Sequence, residues 1–354
     1  MARHSPLKKF ERWGRRVLAR CVDFILRQGP QDPLCGGTPT KILVLRFDKR
    51  VGNLLLLSPM LATLERLFPE ATLDMVVHAD MERVLRANPH LDSIYCLRKW
   101  TLLSKTGWPH LLWHLRRRSY QLIIDAAHPT SLSLTHALLA RLVQKRGAHL
   151  IGAVRHQLKK IYSCPIEIPV QLQQERLQYL HLLHRLGSVP TTPPPLRYYP
   201  TKKVDCDCGA DPFVLLNLGA GSPEKQLPRD FYRQLASRLV GLGWRVIIAH
   251  GPAEQGAAQA LVAACAKPRV ELAPKTDLDE LAAWMSAARA VIANDTGPMH
   301  LAVATGTPTL AIFCSSDPAR FGHDYPPHRV LELPATQAED SWPFQVIEEF
   351  VGRP

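Results

Sequence analysis

The sequence predicts an α/β protein built from two doubly wound, Rossmann-like domains in series. Three observations predict it. Short apolar runs alternate with amphipathic helical patterns along most of the chain, which argues for parallel strands covered by helices. The alternation breaks once, at a stretch holding Pro190, Pro193, Pro194, Pro195 and Pro200. The chain has 354 residues, enough for two domains at roughly 100–200 residues each.

Residues 1–38 read as a basic amino-terminal extension. Residues 1–28 carry eight basic side chains against Glu11 and Asp23, a net of +6 within a total of +13. Phe10, Trp13, Val17, Cys21 and Phe24 recur at helical spacing, with Arg12, Arg15, Arg16, Arg20 and Arg27 among them. This pattern describes an amphipathic helix resting on anionic lipid, or equally a helix packed on the first domain with a solvated basic face. Gly29-Pro30, Pro33 and Gly36-Gly37 end it.

The first domain, 39–188, opens on Lys41–Phe47, an apolar run of the buried-parallel kind. Leu57, Met60, Leu61, Leu64 and Phe68 then step by three and four, as one helix face does. Further strands are predicted at 72–77, 91–97, 121–125 and 148–152, and a helix near 172–186 that stops at Gly187. The proline-rich linker spans 189–211. The second domain, 212–335, alternates strands at 213–218, 244–250, 269–272, 290–293 and 308–313 with helices at 229–240, 253–265, 278–288 and 298–305. Asp277 and Glu280 have capping-box spacing at the start of one of them. Residues 336–354 read as a tail or terminal helix. In paired domains of this kind ligands bind at the carboxyl ends of the strands, so a central cleft faced by both is the expected site.

Composition excludes several classes. No apolar run approaches the roughly 18 residues of a membrane span. Eight scattered cysteines, with Cys206 and Cys208 the single close pair, offer no second pair for a zinc site and read as reduced thiols. Arg20 and Asp23 interrupt the best signal-peptide core, Val17–Leu26, which places the chain in the cytoplasm, peripheral on an anionic membrane surface if residues 1–28 bind lipid. The basic balance favours an anionic partner. No nucleic-acid motif accompanies it, so nucleic acid is not the expected one.

Chemistry is concentrated in four loops. Gly219, Ala220, Gly221, Ser222 and Lys225 lie between a strand and a helix, where glycine-exposed amides, the helix dipole and a lysine suit a phosphate; a plain tight turn is the alternative. Asp295, Thr296 and Gly297 follow a buried strand, and Pro298 suits a first helical position, so amides there would face a second anion. His300 falls in that helix's first turn, as an anion partner or as a core histidine. A metal at Asp295 and His300 lacks a third ligand at regular spacing. Glu254 sits where doubly wound domains present an acid to ribose, or else where a carboxylate simply caps a helix. In the first domain, Asp48 on the loop Arg46–Asn53 is the candidate general base, or a loop carboxylate paired with Lys49 or Arg50. The stretch Arg98–Arg118, with Lys105, Trp108 and Trp113, suits phosphorylated sugar or lipid and also an ordinary solvated helix.

Taken in order, Lys41–Asn53 with Ser58-Pro59, Asn217–Lys225, Ala293–His300 and Phe313–Arg320 resemble the motifs of glycosyltransferase family 9, the bacterial heptosyltransferases, over residues 41–335. The resemblance implies a GT-B fold, an acceptor on the amino-terminal domain and an ADP-sugar on the carboxy-terminal one. It implies inverting, metal-independent transfer of heptose from ADP-heptose to a lipid A–core acceptor in lipopolysaccharide biosynthesis, with no cofactor. Carried across, Lys225 meets the donor phosphate, Glu254 the adenosine ribose and Asp295 the sugar hydroxyls, while Thr296, Gly297 and His300 surround the diphosphate. One departure stands out. The family commonly carries Gly-Asp in the first loop, with that Asp as base, and this chain has Gly52-Asn53. An amide is no base at neutral pH, so the role passes to Asp48 with Asn53 positioning the acceptor, or the acceptor is deprotonated otherwise, or catalysis is weakened; a family relative using another nucleotide sugar is a separate alternative.

Overall fold

A computed structural model describes residues 6–98, 107–128, 133–154, 158–204, 209, 211–219, 221–334 and 336–354. The chain separates into two compact units, Met1–Lys49 with Pro59–Pro194, and Arg50–Ser58 with Pro195–Pro354.

In chain order the first unit contains α1 (Pro6–Ile25) and β1 (Lys41–Arg46); α2 (Val51–Leu55) belongs to the second unit, and α3 (Ser58–Leu67) leads back. Then come β2 (Thr72–His78), α4 (Glu82–Leu85), β3 (Ser93–Leu97), α5 (Trp108–Arg118), β4 (Leu122–Asp125), α6 (Leu134–Val143), β5 (His149–Ala153), β6 (Cys164–Ile166) and α7 (Glu175–His181). The strands form one parallel sheet in the order β3-β2-β1-β4-β5-β6, with Leu43 of β1 opposite Asp74 on one side and Ile123 on the other. The winding reverses between β1 and β4, which leaves their following loops side by side at the carboxyl edge. β6 went unread in the sequence, and its Pro165 is tolerated because the strand lies at the sheet edge.

One face of this sheet buries Leu43, Leu45, Ile123 and Leu150 against Leu111 and Leu115 of α5 and Ala137 and Ala140 of α6. Ala19 of α1 joins the same cluster, with Val22 and Leu26 packed against it. Asp23 Oδ1 accepts hydrogen bonds from the Lys159 and Ile161 amides, each at 2.9 Å. The carboxy-terminal half of α1 is therefore a layer of the first unit, not a separate extension. The side chains of Phe10, Arg12, Trp13 and Arg15 lie outside the described residues.

The second unit runs β7 (Phe213–Asn217), α8 (Arg229–Gly241), β8 (Arg245–Ala249), α9 (Gln255–Cys265), β9 (Val270–Leu272), α10 (Leu278–Ala287), β10 (Ala290–Asn294), α11 (Gly297–Ala304), β11 (Thr309–Phe313), α12 (Pro318–Phe321), β12 (Arg329–Glu332) and α13 (Phe344–Val351). Its sheet is also all parallel, ordered β12-β11-β10-β7-β8-β9, the same winding as the first, with the reversal between β7 and β10. The stretch 336–354 is no tail: Trp342, Phe344, Ile347 and Val351 complete the core around Phe231, and Trp244 Nε1 donates to the Gly352 carbonyl at 2.8 Å.

Residues 50–58, which the sequence assigns to the first domain, pack in the second unit instead. Leu54, Leu55, Leu56 and Leu57 are buried, and α2 lies against α11. Ser58 Oγ accepts from the Arg197 amide at 3.0 Å and donates to the Leu55 carbonyl at 2.7 Å.

α10 begins with the capping box read from the sequence: Asp277 Oδ1 accepts from the Glu280 amide at 2.9 Å, and Glu280 Oε2 from the Asp277 amide at 2.8 Å. Asp277→Ala is expected to cost the second unit about 1 kcal/mol, read as a lower urea midpoint at unchanged m-value.

Candidate active site

The turns that follow β7 and β10 leave adjacent strands, so both open over one edge of the second sheet. After β7 come Gly219, Gly221 at φ +67 and Ser222, with Lys225 closing a short 3-10 turn; Ala220 lies outside the described residues. After β10 come Asp295 and Thr296, and α11 starts at Gly297 with Pro298 in its first turn, leaving the leading amides without helical acceptors. Lys225 Nζ spans the two turns, 2.5 Å from Asp295 Oδ2 and 3.4 Å from the Asp295 carbonyl. Ser316 Oγ donates to the same carboxylate oxygen at 2.5 Å. Lower down, Asn294 and the buried Tyr232 hydroxyl bond each other, fixing the end of β10.

A cavity of about 420 Å³ opens here. It brings together Asn53, Gly221, Ser222, Lys225, Asp295, Thr296, Gly297 and His300. An ammonium has three donors. Lys225, partly exposed, can hold Asp295 and still present hydrogens to an anion among the amides of Thr296 and Gly297. Burial pushes the Cys314 thiol up to about 11, helped by the Asp295 charge, so no thiolate competes beside it. Glu254 lies elsewhere, in a neighbouring cavity of about 430 Å³ lined by Gln226, Pro228 and Arg229. There it is the N-cap residue of α9 without a side-chain capping bond, folded against Gly251. Gly219 supports the turn beneath, accepting from Asn294 Nδ2 at 3.5 Å, and lines neither cavity.

Several participants carry no sequence signal. Ser316 lies within a recognisable block, but its aim at Asp295 is a tertiary fact. His323 stands behind His300, their ring nitrogens 2.9 Å apart, both rings buried. Arg50 reaches the cavity and Leu278, Leu281 and Phe321 supply apolar wall. Gly52 matters for a reason unrelated to catalysis: a Cβ there would stand 2.4 Å from His300 Cδ2, so α2 reaches α11 only because residue 52 has none.

In the first unit, Asp48 lines a cavity of about 200 Å³ with Lys49, His128, Ser133 and His136, at the winding reversal between β1 and β4. It forms an ion pair with Arg46. Lys49 stands 3.8 Å from Asp80, whereas Asp48 Oδ2 lies 3.2 Å from Arg46 Nη2. The Arg46 guanidinium is buried, donates to the Ala126 carbonyl at 2.7 Å, stacks over Tyr179 and stands 3.6 Å from Glu175. Glu175 is wholly buried, 3.0 Å from His128 Nε2 and hydrogen-bonded by the Tyr179 hydroxyl. Burial opposes its charge, but His128, Tyr179 and Arg46 together hold its pKa down to about 2. Glu175 thus shares the arginine with Asp48, whose side chain is 24% exposed and open to the cavity.

The described residues of the Arg98–Arg118 stretch line none of these three cavities; residues 99–106 lie outside the described set. Arg118 donates to Tyr95 and Ser93, and Arg116 to the Leu142 carbonyl, so part of its charge serves packing. Cys206 and Cys208 also fall outside the described residues. Among the described residues, no group of three or more His, Cys, Asp or Glu is placed to hold a metal ion.

Two Rossmann-like doubly wound units of the same strand order, with a cavity at the winding reversal of the second, make up an α/β fold of the GT-B kind. The chain belongs to glycosyltransferase family 9 (heptosyltransferase), whose sequence profile matches residues 110–339. Lipopolysaccharide heptosyltransferase 3 of Escherichia coli (strain K12) is 26% identical over 281 residues, 75% of this chain and 80% of that protein. Lipopolysaccharide heptosyltransferase 1 of Pseudomonas aeruginosa is 26% identical over 295 residues, 80% and 81% of the two chains. The glycosyl transferase family 9 structure from Veillonella parvula DSM 2008 superposes with a TM-score of 0.72 at 20% identity, covering 83% of this chain and 86% of that one. E. coli heptosyltransferase WaaC with ADP gives 0.70 at 20% identity, over 88% and 98%. At such identities the structural likeness speaks to the fold.

Gly52→Ala forces His300 or α2 to move and is expected to cost roughly 1–3 kcal/mol by overpacking, read as a lowered unfolding midpoint. Glu175 has a depressed pKa, so its stabilisation is complete above its ordinary 4.5 and is lost as pH falls toward about 2. Glu175→Gln is expected to lower stability at neutral pH and to flatten the decline across that window in denaturant titrations.

Proposed function

We propose that the chain transfers a heptose from ADP-heptose to a sugar hydroxyl of the lipid A–core oligosaccharide, with inversion and without a metal, at the anionic inner face of the inner membrane. The observation that carries this reading is the pairing of the turns after β7 and β10, bridged by Lys225, over one edge of the second sheet. A departing nucleoside diphosphate gains negative charge as the glycosidic bond breaks. Lys225 and the amides of Gly221, Ser222, Thr296 and Gly297 would meet that charge, with His300 beside them. Glu254, in the adjoining cavity, would take the ribose hydroxyls. Asp295 would hold sugar hydroxyls with its remaining acceptor capacity, its position set by Lys225 and Ser316.

The acceptor hydroxyl needs a base. Asp48 would remove its proton as the sugar carbon is attacked from the face opposite the leaving group, which accounts for inversion. Arg46 orients this carboxylate without covering it. Asn53, in place of the family's usual Asp, would hold the acceptor by hydrogen bonds. The membrane part of the reading rests on α1, which exposes Arg16 and Arg20 beside Val17 and Leu18.

A thermal-shift panel of ADP-, UDP- and GDP-sugars is expected to show stabilisation by the ADP-sugar, and stabilisation by UDP-sugars alone would sink the donor assignment. Transfer to a truncated core acceptor is expected to persist in EDTA. Asp48→Ala should lower kcat by about 10²–10⁴ while donor binding stays intact, whereas Lys225→Ala should weaken the donor. Full activity in Asp48→Ala would remove it as the base.

A further inference from the structure

The outer surface of the first unit has a composition that its packing does not explain. α1 exposes Val17, Leu18, Phe24 and Ile25. Trp108 and Trp113 of α5 and Leu142 of α6 are exposed as well. Among the described residues, Val170 is the one other exposed large hydrophobic side chain, and the second unit contributes none.

These three helices form one layer. Ala19, Leu111, Leu115, Ala137 and Ala140 enter a single core on one face of the sheet, so the opposite sides of α1, α5 and α6 all turn outward. Arg116 Nη1 donates to the Leu142 carbonyl at 2.5 Å, tying α5 to α6. Gln28 and Gln144 bond each other at 2.9 Å, and Arg141 Nε reaches the Leu26 carbonyl at 3.4 Å, tying α6 to the end of α1.

The charge of the layer has one sign. α5 and α6 contain no acidic residue. From Gly14 onward α1 has only Asp23, whose Oδ1 is taken by two backbone amides. Arg16, Arg20, Arg27, Arg116, Arg117 and Lys145 are all exposed. Arg117 lies over the Trp113 ring at 4.6 Å and Arg27 over Phe24 at 5.2 Å, which sets cations directly beside apolar rings. Among the described residues no helix is long and apolar enough to cross a membrane.

We infer that α1, α5 and α6 together form one lipid-binding platform, with Trp108, Trp113, Phe24 and Ile25 at headgroup depth and the arginines on anionic phosphates. Arginine interleaved with large apolar side chains complements anionic headgroups over hydrocarbon. The platform deepens the membrane part of the proposed function and rests on it, because it places the first unit where a lipid-borne acceptor is found. It also recasts the aromatic-basic stretch 108–118 as a membrane element.

Flotation of the full chain with vesicles of phosphatidylcholine, alone or mixed with phosphatidylglycerol, tests it. Deletion of α1 is unsuitable because Ala19 belongs to the core; exposed positions are used instead, with thermal melts to confirm folding. Binding should be at least about tenfold stronger to the anionic vesicles and fall with salt. Trp108→Ala with Trp113→Ala, and separately Phe24→Glu with Ile25→Glu, should each weaken it severalfold. Tryptophan fluorescence should be quenched by brominated lipid in the wild type and less so in the α5 variant. Unchanged vesicle binding by the α5 variant, or equal binding to both vesicle types, would overturn the platform, as would tight binding to single-stranded RNA lost in the same variants. Heptose transfer from ADP-heptose to a delipidated core acceptor should be untouched by these substitutions. That second readout separates the two ideas: a chain that floats as described but transfers no heptose keeps the platform and loses the donor-acceptor reading.

Discussion

Lys225 and Asp295 meet because the second sheet reverses its winding between β7 and β10. Residues 70 positions apart in sequence are brought within hydrogen-bond distance by two adjacent parallel strands that end at the same edge. Much else at the site depends on that adjacency. The glycine turn and the start of α11 face one another, Ser316 reaches the same carboxylate, and the Asn294–Tyr232 pair keeps β10 from drifting away from α8. Parallel strands impose this geometry through their crossovers, which must return each strand to the same end of the sheet.

α2 adds a second constraint. Its packing on α11 places Gly52 against the His300 ring and Gly297 against Val51. Of the two glycines at this crossing it is Gly52 that permits the close approach, since a Cβ at Gly297 would make only ordinary contact with Val51. His300 is thereby fixed from one side by α2 and from the other by His323. A histidine enclosed in this way has little rotamer freedom to lose when an anion arrives.

The first unit applies the same topology to different chemistry. Its reversal between β1 and β4 holds a buried arginine between two carboxylates, one buried and one open to a cavity. Burying such a cluster is costly unless each charge is met. The Ala126 carbonyl, the Tyr179 ring and hydroxyl, and His128 meet them here. One consequence is that Asp48 has in Arg46 a partner fixed by the core.

The sequence by itself determined the class of fold, the alternation of elements and the places of the two turns after β7 and β10, because hydrophobic period, glycine placement and a proline at a helix start are local signals. The capping box at Asp277 and the strands at 72–77, 213–218 and 290–293 were legible for the same reason. The edge strands β6 and β12 were not, whereas β9, as short as β6, was legible from its place between two helical patterns. Tertiary structure decided which carboxylate Arg46 serves, that residues 50–58 join the second unit, that Ser316 and His323 stand behind Asp295 and His300, and that α1, α5 and α6 share one outward face. Each of these depends on contacts between segments far apart in the chain, and such contacts are set by packing volume and burial of charge, which no local pattern encodes.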